Sequence, residues 1–585
     1  MPAAGVVAGL LAVLLRAWSR DIPFTDLAFV SEMPWWLLIV AALGATLLLA
    51  ALCLVCESDR PVAWALLGGW MAFAFVLSIT ADASVWFSLG LCAPLFFIVN
   101  WMGGVKLFAR PRIQMKHTLP IVTALFVLMT AAVAWVSILR YRTYSATTFD
   151  LGIFAQMFES MRRTGHAWTT LERGGLMTHF GVHCSPFYYL LLPFYACVPR
   201  VETLLVLQAA GVGAGLFAVR AIAKQCFGAA PRCVLAACLL YLLHPAFGFG
   251  CVYDFHENKF LAPLLLWAFY FLLRGKMLPL AIFAVLVLSV KEDAAIYIIA
   301  LALYMLFVPT KDNEPSRRKR VYTALSLLAL SVVWFLAAAA VVRHYGEGVM
   351  VSRLKNYFLD GGGGFADVLK VFVSNPGYVI REMFTREKAE FLLYLFLPLG
   401  FAPLPQRRGA AWLLLLPVLA INLASNYSYQ YTMGFQYAYG PAALALALAL
   451  VTLAESKPAL RRRALLFAVC ASLLCSSPLF LERAEVYSAQ WAADADVCRE
   501  VDRALAALPP GAEITGTTWF PPHLSGREAA VRFYPSYGGE QRITEYFLCK
   551  AGDFDREPGL EEFLQENYIF LKEEGFVRIY RAIWV

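Results

Sequence analysis

Charged residues are scarce in this chain. They make up 15% of its 585 residues, whereas hydrophobic residues make up 60%. A soluble domain needs more charge than this to keep its surface hydrated, so the composition excludes an ordinary soluble protein. A large excess of one sign is also missing, because the formal net charge is only +8. We interpret this small excess as membrane topology and predict no nucleic-acid partner.

Apolar runs of bilayer length recur instead. Each holds close to the roughly 20 residues that cross about 30 Å of hydrocarbon. They predict a polytopic α-helical membrane protein of about 13–15 helices, and the short alternating strands of a membrane barrel are absent. The clearest runs are 36–55, 62–80, 85–102, 119–139, 204–223, 233–250 and 321–342.

Basic loops assign a direction to these helices. The positive-inside rule places the clusters at 106–116, 224–232, 317–320 and 461–463 in the cytoplasm. The loops 140–201 and 343–390 and the tail after 480 then face outward. The run 187–198 lies within the first of these loops and is too short to cross, so we predict an interfacial or re-entrant segment.

The composition divides the chain into three parts. Residues 1–117 are predicted to be extra transmembrane helices, residues 118–480 a transmembrane core, and residues 481–585 an outward α/β domain of about 100 residues. This last domain lacks a glycine-rich phosphate loop, a nucleophile elbow and metal-ligand spacing. Cys498 and Cys549 lie in it, on the side of the membrane where a disulfide is permitted.

The first outward loop contains the most informative acid. Apolar spacing over 149–161 predicts a short amphipathic helix on the membrane surface, with Asp150 in its first turn. The simplest alternative is that Asp150 only caps this helix. His179 and His183 close the same loop, four residues apart, and a polar cluster at the interface would also explain them.

Three further clusters lie at the same predicted border. Residues 253–259 carry Asp254, His256, Glu257 and Lys259, and so many ionisable groups at a membrane border are costly unless they line a wet cavity. Residues 291–293 are Lys-Glu-Asp, for which a solvated helix turn is the alternative. Residues 426–439 contain many tyrosines, which fit either an aromatic belt or a sugar-stacking surface.

These groups suggest two kinds of chemistry. A carboxylate could activate an acceptor hydroxyl while cations hold a phosphate leaving group. Alternatively, Asp150, His183, Asp254 and His256 could hold a divalent metal ion, because carboxylate and imidazole suit Mn²⁺, Mg²⁺ or Zn²⁺. The predicted catalytic residues are Asp150, Asp254 and His256, and the predicted substrate or phosphate ligands are Arg142, His179, His183, Lys259, Lys291, Glu292 and Tyr437.

An ordered set of short motifs resembles the predicted membrane proteins of domain-of-unknown-function family 2079. The motifs are Phe149–Phe154, Thr178–Pro186, Leu190–Pro193, Gln208, Asp254–His256 and Lys291–Ala294. That family in turn resembles the GT-C glycosyltransferases, in which an acid of the first outward loop serves as base or metal partner. The resemblance gives Asp150 that role and implies a polyprenyl-phosphate sugar and membrane lipids as partners. Ala155 departs from the pattern, because an acid is expected there in many relatives.

The resemblance favours a plasma-membrane glycosyltransferase that moves a sugar from a polyprenyl-phosphate donor to an outward-facing acceptor. The alternative is a transporter or flippase for a lipid-linked or polar solute. Transporters carry ionisable residues near the middle of the bilayer and often show two related halves. The ionisable clusters of this chain lie at one predicted border and no internal repeat is visible, which favours the enzyme.

Overall fold

The computed structural model describes residues 1–80, 84–103, 113–173, 175–309, 316–346, 348, 350–359, 362–527, 531–534 and 542–584. Most of the first predicted basic loop, 106–116, lies outside these residues. The chain begins with five helices, which are α1 (Pro2–Trp18), α2 (Ala28–Glu32), α3 (Trp35–Cys56), α4 (Arg60–Thr80) and α5 (Val85–Met102). Gly5 and Gly9 let α1 pack closely on α3, since a Cβ atom at Gly9 would lie 2.5 Å from the Leu38 carbonyl oxygen.

The middle of the chain forms the helical core. Its first helices are α6 (Thr118–Arg142), α7 (Ile153–Thr164), α8 (Tyr188–Cys197), α9 (Val201–Gly213), α10 (Gly215–Phe227), α11 (Pro231–Leu243), α12 (Leu261–Leu273), α13 (Met277–Val290) and α14 (Ala295–Phe307). They are followed by α15 (Arg317–Tyr345), α16 (Phe365–Ser374), α17 (Pro376–Met383), α18 (Arg386–Phe396), α19 (Leu416–Ala424) and α20 (Tyr439–Glu455). The most enclosed is α20, whose alternating alanine and leucine side chains are almost all buried.

The polytopic helical prediction is confirmed. Within the described residues, eight helices are long and apolar enough to cross a membrane, by length and composition. The predicted run 233–250 is helical only in part, because it contains the 13-residue α11, which ends at Leu243. Pro245 explains this end, because the residue before a proline is pushed into extended geometry and His244 adopts it. The predicted re-entrant run 187–198 contains α8, a helix of 10 residues.

The C-terminal part begins as a helix. Helix α21 (Pro458–Ala506) has 49 residues, so the predicted boundary at 480 falls inside it. The predicted α/β domain follows with α22 (Pro521–Leu524) and α23 (Leu560–Asn567). Of the strands, β1 (Trp168–Thr169) and β2 (Met177–Thr178) form a small hairpin in the first long loop, and the rest are β3 (Ile514–Gly516), β4 (Val531–Phe533), β5 (Tyr546–Cys549), β6 (Tyr568–Glu574) and β7 (Val577–Ala582).

The C-terminal sheet has five strands in the order β4-β3-β5-β7-β6. Strand β3 is parallel to β4 and β5, whereas β7 is antiparallel to β5 and β6. Strands β6 and β7 form a closing hairpin, and Gly575 supplies its turn with a φ of 59°. Cys498 and Cys549 are free thiols in two different hydrophobic clusters, so the permitted disulfide is not formed.

Gly181 joins the first long loop to the end of α15. A Cβ atom there would lie 2.6 Å from the Tyr345 carbonyl oxygen, which belongs to rigid backbone. We expect Gly181→Ala to lower the free energy of unfolding by about 1–3 kcal/mol through overpacking. Thermal unfolding in detergent measures this. Gly175→Ala is the matched control, since nothing lies within 4 Å of its added Cβ, and equal melting temperatures for the two variants would contradict the prediction.

Candidate active site

Asp150 lies in a strained turn that precedes α7. Residues Thr148–Gly152 form a wide turn in which Phe149 and Asp150 depart from helical geometry. Asp150 has φ 65° and ψ −82°, close to the strained γ-turn with positive φ. Such a conformation costs a residue with a side chain about 1–3 kcal/mol. The predicted helix start at Phe149 is therefore wrong, and Asp150 makes no capping hydrogen bond to the described backbone.

The C-terminal domain holds this turn on both sides of Asp150. The Thr148 hydroxyl donates to the Thr518 carbonyl oxygen at 2.9 Å, and the Thr518 hydroxyl accepts from the Thr148 amide at 3.3 Å. Two residues after Asp150, the backbone of Gly152 packs against Pro522 of α22. Contacts from a domain more than 360 residues later in the chain therefore fix the conformation of Asp150.

Asp254 anchors the turn from the membrane side. Its carboxylate forms a buried ion pair with Arg140 at the end of α6 and accepts a hydrogen bond of 3.3 Å from the Thr147 hydroxyl. Lys259 folds back onto the same loop and donates to the carbonyl oxygens of Tyr253 at 2.9 Å and Asp254 at 2.7 Å. Asp254 and Lys259 are thus engaged in holding the loop together.

Gln208 fastens this loop to α9. Its side-chain amide donates to the carbonyl oxygens of Cys251 at 3.0 Å and Tyr253 at 3.1 Å. Its side-chain oxygen accepts from the amide of His256 at 3.0 Å. A fully buried glutamine that makes three hydrogen bonds to one loop sets the path of that loop.

The two histidines of the first long loop each contact a glutamate. His179 Nδ1 lies 2.8 Å from Glu172 and its Nε2 lies 3.1 Å from the Tyr188 hydroxyl. His183 Nδ1 lies 2.9 Å from Glu292. Each carboxylate orients its ring and fixes which ring nitrogen is left for other contacts.

Lys291 is the cation of the cluster that has no hydrogen-bond partner. Its side chain is 1% exposed, and Nζ makes no hydrogen bond to any residue that the structure describes. The Nζ atom lies 3.8 Å from one carboxylate oxygen (Oε1) of Glu257. The other carboxylate oxygen (Oε2) lies 3.1 Å from His256 Nδ1. A buried ammonium held in this way can take up an oxyanion without losing another bond.

An aromatic wall adjoins Lys291. Its Nζ lies 5.8 Å from the centre of the Tyr437 ring. Arg353 lies beside the rings of Tyr427 and Tyr437, at 4.8 and 5.0 Å from their centres, and donates to the Tyr437 hydroxyl at 2.8 Å. The loop 350–357 and the tyrosine segment therefore bring a second cation to this wall.

The structure brings most of the predicted residues together. Arg142 is the exception, because half of its side chain is exposed and pairs with Glu202 at 3.2 Å, outside the buried cluster. The alternative of a solvated turn at 291–293 is wrong, since Lys291 is 1% and Glu292 is 5% exposed. The predicted residues found in the cluster are Asp150, His179, His183, Asp254, His256, Lys259, Lys291, Glu292 and Tyr437.

Burial changes the proton affinities in this cluster. Burial, and then the negative charges of Asp254 and Glu257, raises the pKa of Asp150 to about 7. Burial lowers the pKa of Lys259 to about 8. Burial and the charge of Lys291 hold the pKa of His183 and of His256 well below the usual value, so both rings are neutral at pH 7.

The four predicted metal ligands do not form a ligand set. In the described part of the chain, no three His, Cys, Asp or Glu side chains are arranged to hold a metal ion. The Asp254 carboxylate is occupied by Arg140 and Thr147, and His183 faces Glu292. The arrangement therefore does not fit a resident metal held by Asp150, His183, Asp254 and His256.

Several residues of the cluster escaped the sequence prediction. Gln208 was visible only as part of a family motif, and Arg140 differs from the predicted Arg142 by two positions on one helix. Glu172, Tyr188 and Arg353 carried no local signal, because only the fold brings them to the cluster. Ala155, the departure from the family pattern, is completely buried in the helical core, where an acid would lose its hydration.

Arg140 and Arg142 provide a matched pair for testing buried charge. We expect Arg140→Met to lower the free energy of unfolding by about 3–5 kcal/mol, because Asp254 would stay buried without its partner. Arg142→Met removes only a half-exposed pair and should change it by less than about 1 kcal/mol. Thermal unfolding in detergent compares the two variants. Equal losses of stability would contradict the assignment of Arg140 to the buried pair.

Comparisons with known proteins give a family and several similar folds. ArnT from Cupriavidus metallidurans bound to undecaprenyl phosphate is 12% identical, with a TM-score of 0.47, and the match covers 78% of this chain and 97% of ArnT. ArnT in the apo state is 13% identical at a TM-score of 0.46 and the same coverage. The Archaeoglobus fulgidus oligosaccharyltransferase in complex with Zn and sulfate is 13% identical at 0.39, covering 78% of this chain and 73% of that one.

All three TM-scores are below 0.5, so these similarities carry no argument about activity. No curated protein matches the chain. A family model described as "Predicted membrane protein (DUF2079)" matches residues 140–570, the region that contains every residue of the cluster. Because this match spans well over half of the 585 residues, the chain belongs to the DUF2079 family of predicted membrane proteins.

Proposed function

We propose that the chain is a membrane glycosyltransferase that moves a sugar from a polyprenyl-phosphate donor to an acceptor on the outer face of the membrane. The main support is that one cluster contains both an acid and a buried cation that make no hydrogen bond to the described side chains. The Asp150 carboxylate makes no hydrogen bond or ion pair with any described side chain, and Lys291 Nζ makes no hydrogen bond. Phe154, four residues after Asp150, contacts the His256 ring, with the ring centres 5.5 Å apart. His256 and Lys291 both face Glu257, which connects the turn at Asp150 to Lys291.

Asp150 suits the role of general base. A base works best with a pKa near the operating pH, and the value of about 7 meets this condition. In the proposed step the acceptor oxygen bonds to the anomeric carbon of the sugar while Asp150 takes up the hydroxyl proton. The bond from that carbon to the phosphate oxygen breaks, and the polyprenyl phosphate leaves with the bonding electrons.

Lys291 is the better candidate for holding the leaving phosphate. Lys259 already donates two hydrogen bonds to its own loop, whereas Lys291 has none to give up. A cation placed where negative charge develops stabilises the transition state. Arg353, which also lies near the Tyr437 ring, would supply a second cation, and its planar fork matches two phosphate oxygens.

The remaining groups would position these three. Asp254 and Gln208 shape the loop at 251–259, and the neutral rings of His183 and His256 can accept or donate hydrogen bonds to sugar hydroxyls. Tyr427 and Tyr437 offer aromatic surface beside the cations. The protein would lie in a plasma membrane, with this cluster and the C-terminal domain on the side away from the cytoplasm.

Removing the base should abolish transfer. We expect Asp150→Asn to lower the rate of sugar transfer by about 10²–10⁴-fold, because the amide cannot take up a proton at this position. Cells that lack the chain are complemented with wild type or Asp150→Asn, and their lipid extracts are compared by mass spectrometry. The variant should accumulate unused polyprenyl-phosphate sugar at an equal protein level.

Asp555→Asn, which changes an exposed carboxylate of the C-terminal domain, is the control and should restore the wild-type profile. Equal glycan products in the Asp150→Asn and wild-type cells would remove Asp150 from the mechanism. Uptake of solute into proteoliposomes without any sugar transfer would replace the transferase by a transporter.

The transfer rate should also depend on pH through Asp150. The carboxyl must be ionised to act as a base, so the rate should fall about tenfold per pH unit below an apparent pKa near 7. A raised carboxyl pKa also means that the folded state binds this proton more tightly, so its stabilising contribution fades as the pH rises from about 4 to 7. Asp150→Asn should remove that decline in melting temperature, and an unchanged decline would contradict the assignment.

A further inference from the structure

Apart from the buried cluster, a cleft lies between the helical core and the C-terminal domain. Its volume is about 580 Å³, within the roughly 300–1,000 Å³ of small-molecule sites. The core contributes Tyr141, Arg142 and Glu202, from the ends of α6 and α9. The C-terminal part contributes Trp491 and Asp502 from α21 and His523 from α22.

The cleft combines aromatic surface with charged groups of both signs. Arg142 faces Glu202 at 3.2 Å, and both side chains keep some exposure to solvent. Arg499 lies 6.0 Å from the centre of the half-buried Trp491 ring. The carboxylate of Asp502 is more than half exposed. Arg527 also lines the cleft, but its guanidinium donates to the Leu508 carbonyl oxygen at 3.2 Å. Three arginines and two acids therefore lie beside an indole ring, which leaves one net positive charge that is partly engaged with the backbone.

His523 forms the inner wall of the cleft. Its ring is stacked between Tyr141 and Tyr144, with centres 4.3 and 3.7 Å away. Burial lowers the pKa of His523 to about 3, so the ring is neutral. The Tyr144 hydroxyl donates to Asp502 at 2.6 Å, which fixes the wall. A rigid, neutral aromatic wall suits a ligand with an apolar ring face and hydroxyl edges.

The cleft is one short helix away from the turn at Asp150. Pro522 of α22 contacts Gly152, and the next residue, His523, lines the cleft. Thr518 and Thr148 join the same two segments by two hydrogen bonds. A ligand bound in the cleft would therefore lie next to the turn that carries Asp150.

We infer that this cleft binds a neutral saccharide segment of the acceptor, stacked on Trp491 and held by the acids and arginines. The purpose of the cleft rests on the proposed glycosyl transfer, but its binding does not need a donor. The cleft would hold the body of the acceptor while one hydroxyl reaches Asp150. No residue of the catalytic cluster lines it.

Binding is tested with the full-length protein in lipid nanodiscs by isothermal titration calorimetry, without a donor. The probes are cellotetraose and chitotetraose, which are neutral, and tetragalacturonate, which is anionic. At least one neutral probe should bind with a Kd of about 1 mM or tighter. Glu202→Gln, at a partly buried side chain, and Arg499→Gln, at an exposed one, should each weaken that binding at least about tenfold.

Arg503→Gln is the matched control, because Arg503 is exposed on the same helix outside the cleft, and it should bind as wild type does. Absence of binding by both neutral probes, preference for tetragalacturonate, or wild-type affinity in Glu202→Gln would overturn the inference. If cells show intact sugar transfer although the protein in nanodiscs does not bind the probes, only this inference is rejected. Cleft binding in a protein whose cells show no transfer would reject the proposed function instead.

Discussion

The ion pair between Arg140 and Asp254 joins the end of the first core helix to the loop that carries much of the buried charge. Removing both ions from water costs several kcal/mol each, and only close attraction and further hydrogen bonds offset that cost. Thr147 supplies one such bond to Asp254, and Lys259 closes the loop from its other end. The turn at Asp150 therefore rests on a loop that cannot shift without leaving a charge unpaired.

The strain in that turn is offset by a different part of the molecule. Thr518 and Pro522 belong to the C-terminal domain, and they contact the residues directly on either side of the strained segment. A conformation that costs about 1–3 kcal/mol persists only where its surroundings fix it. The C-terminal domain therefore helps to hold Asp150 in the conformation seen in the structure.

Local patterns were enough to predict the membrane helices, the C-terminal strands and the family, because apolar periodicity and turn residues such as Gly575 act within a few positions. The run 233–250 is longer than the helix it contains, because Pro245 ends α11 at Leu243. The sequence predicts which residues belong to the cluster, but not their geometry. The positive φ of Asp150 depends on a contact with Thr518, and no residue near Asp150 in the sequence indicates that contact. Arg140 and Arg142 are related by a rotation of about 200° around the axis of α6, so they lie on nearly opposite faces. Only the packing of the helix decides which face is buried.

Helix α21 gives the molecule a property that loops could not provide. At about 1.5 Å per residue, its 49 residues correspond to a length of about 74 Å, and the helix, which contains Pro478, connects the apolar helices to the C-terminal domain. Each added or deleted residue in it would rotate that domain by about 100° as well as moving it. The number of residues in α21 therefore sets both the distance and the rotation of the C-terminal domain relative to the apolar helices. Loops can change in length, whereas α21 must keep its number of residues if Thr518 is to contact Thr148.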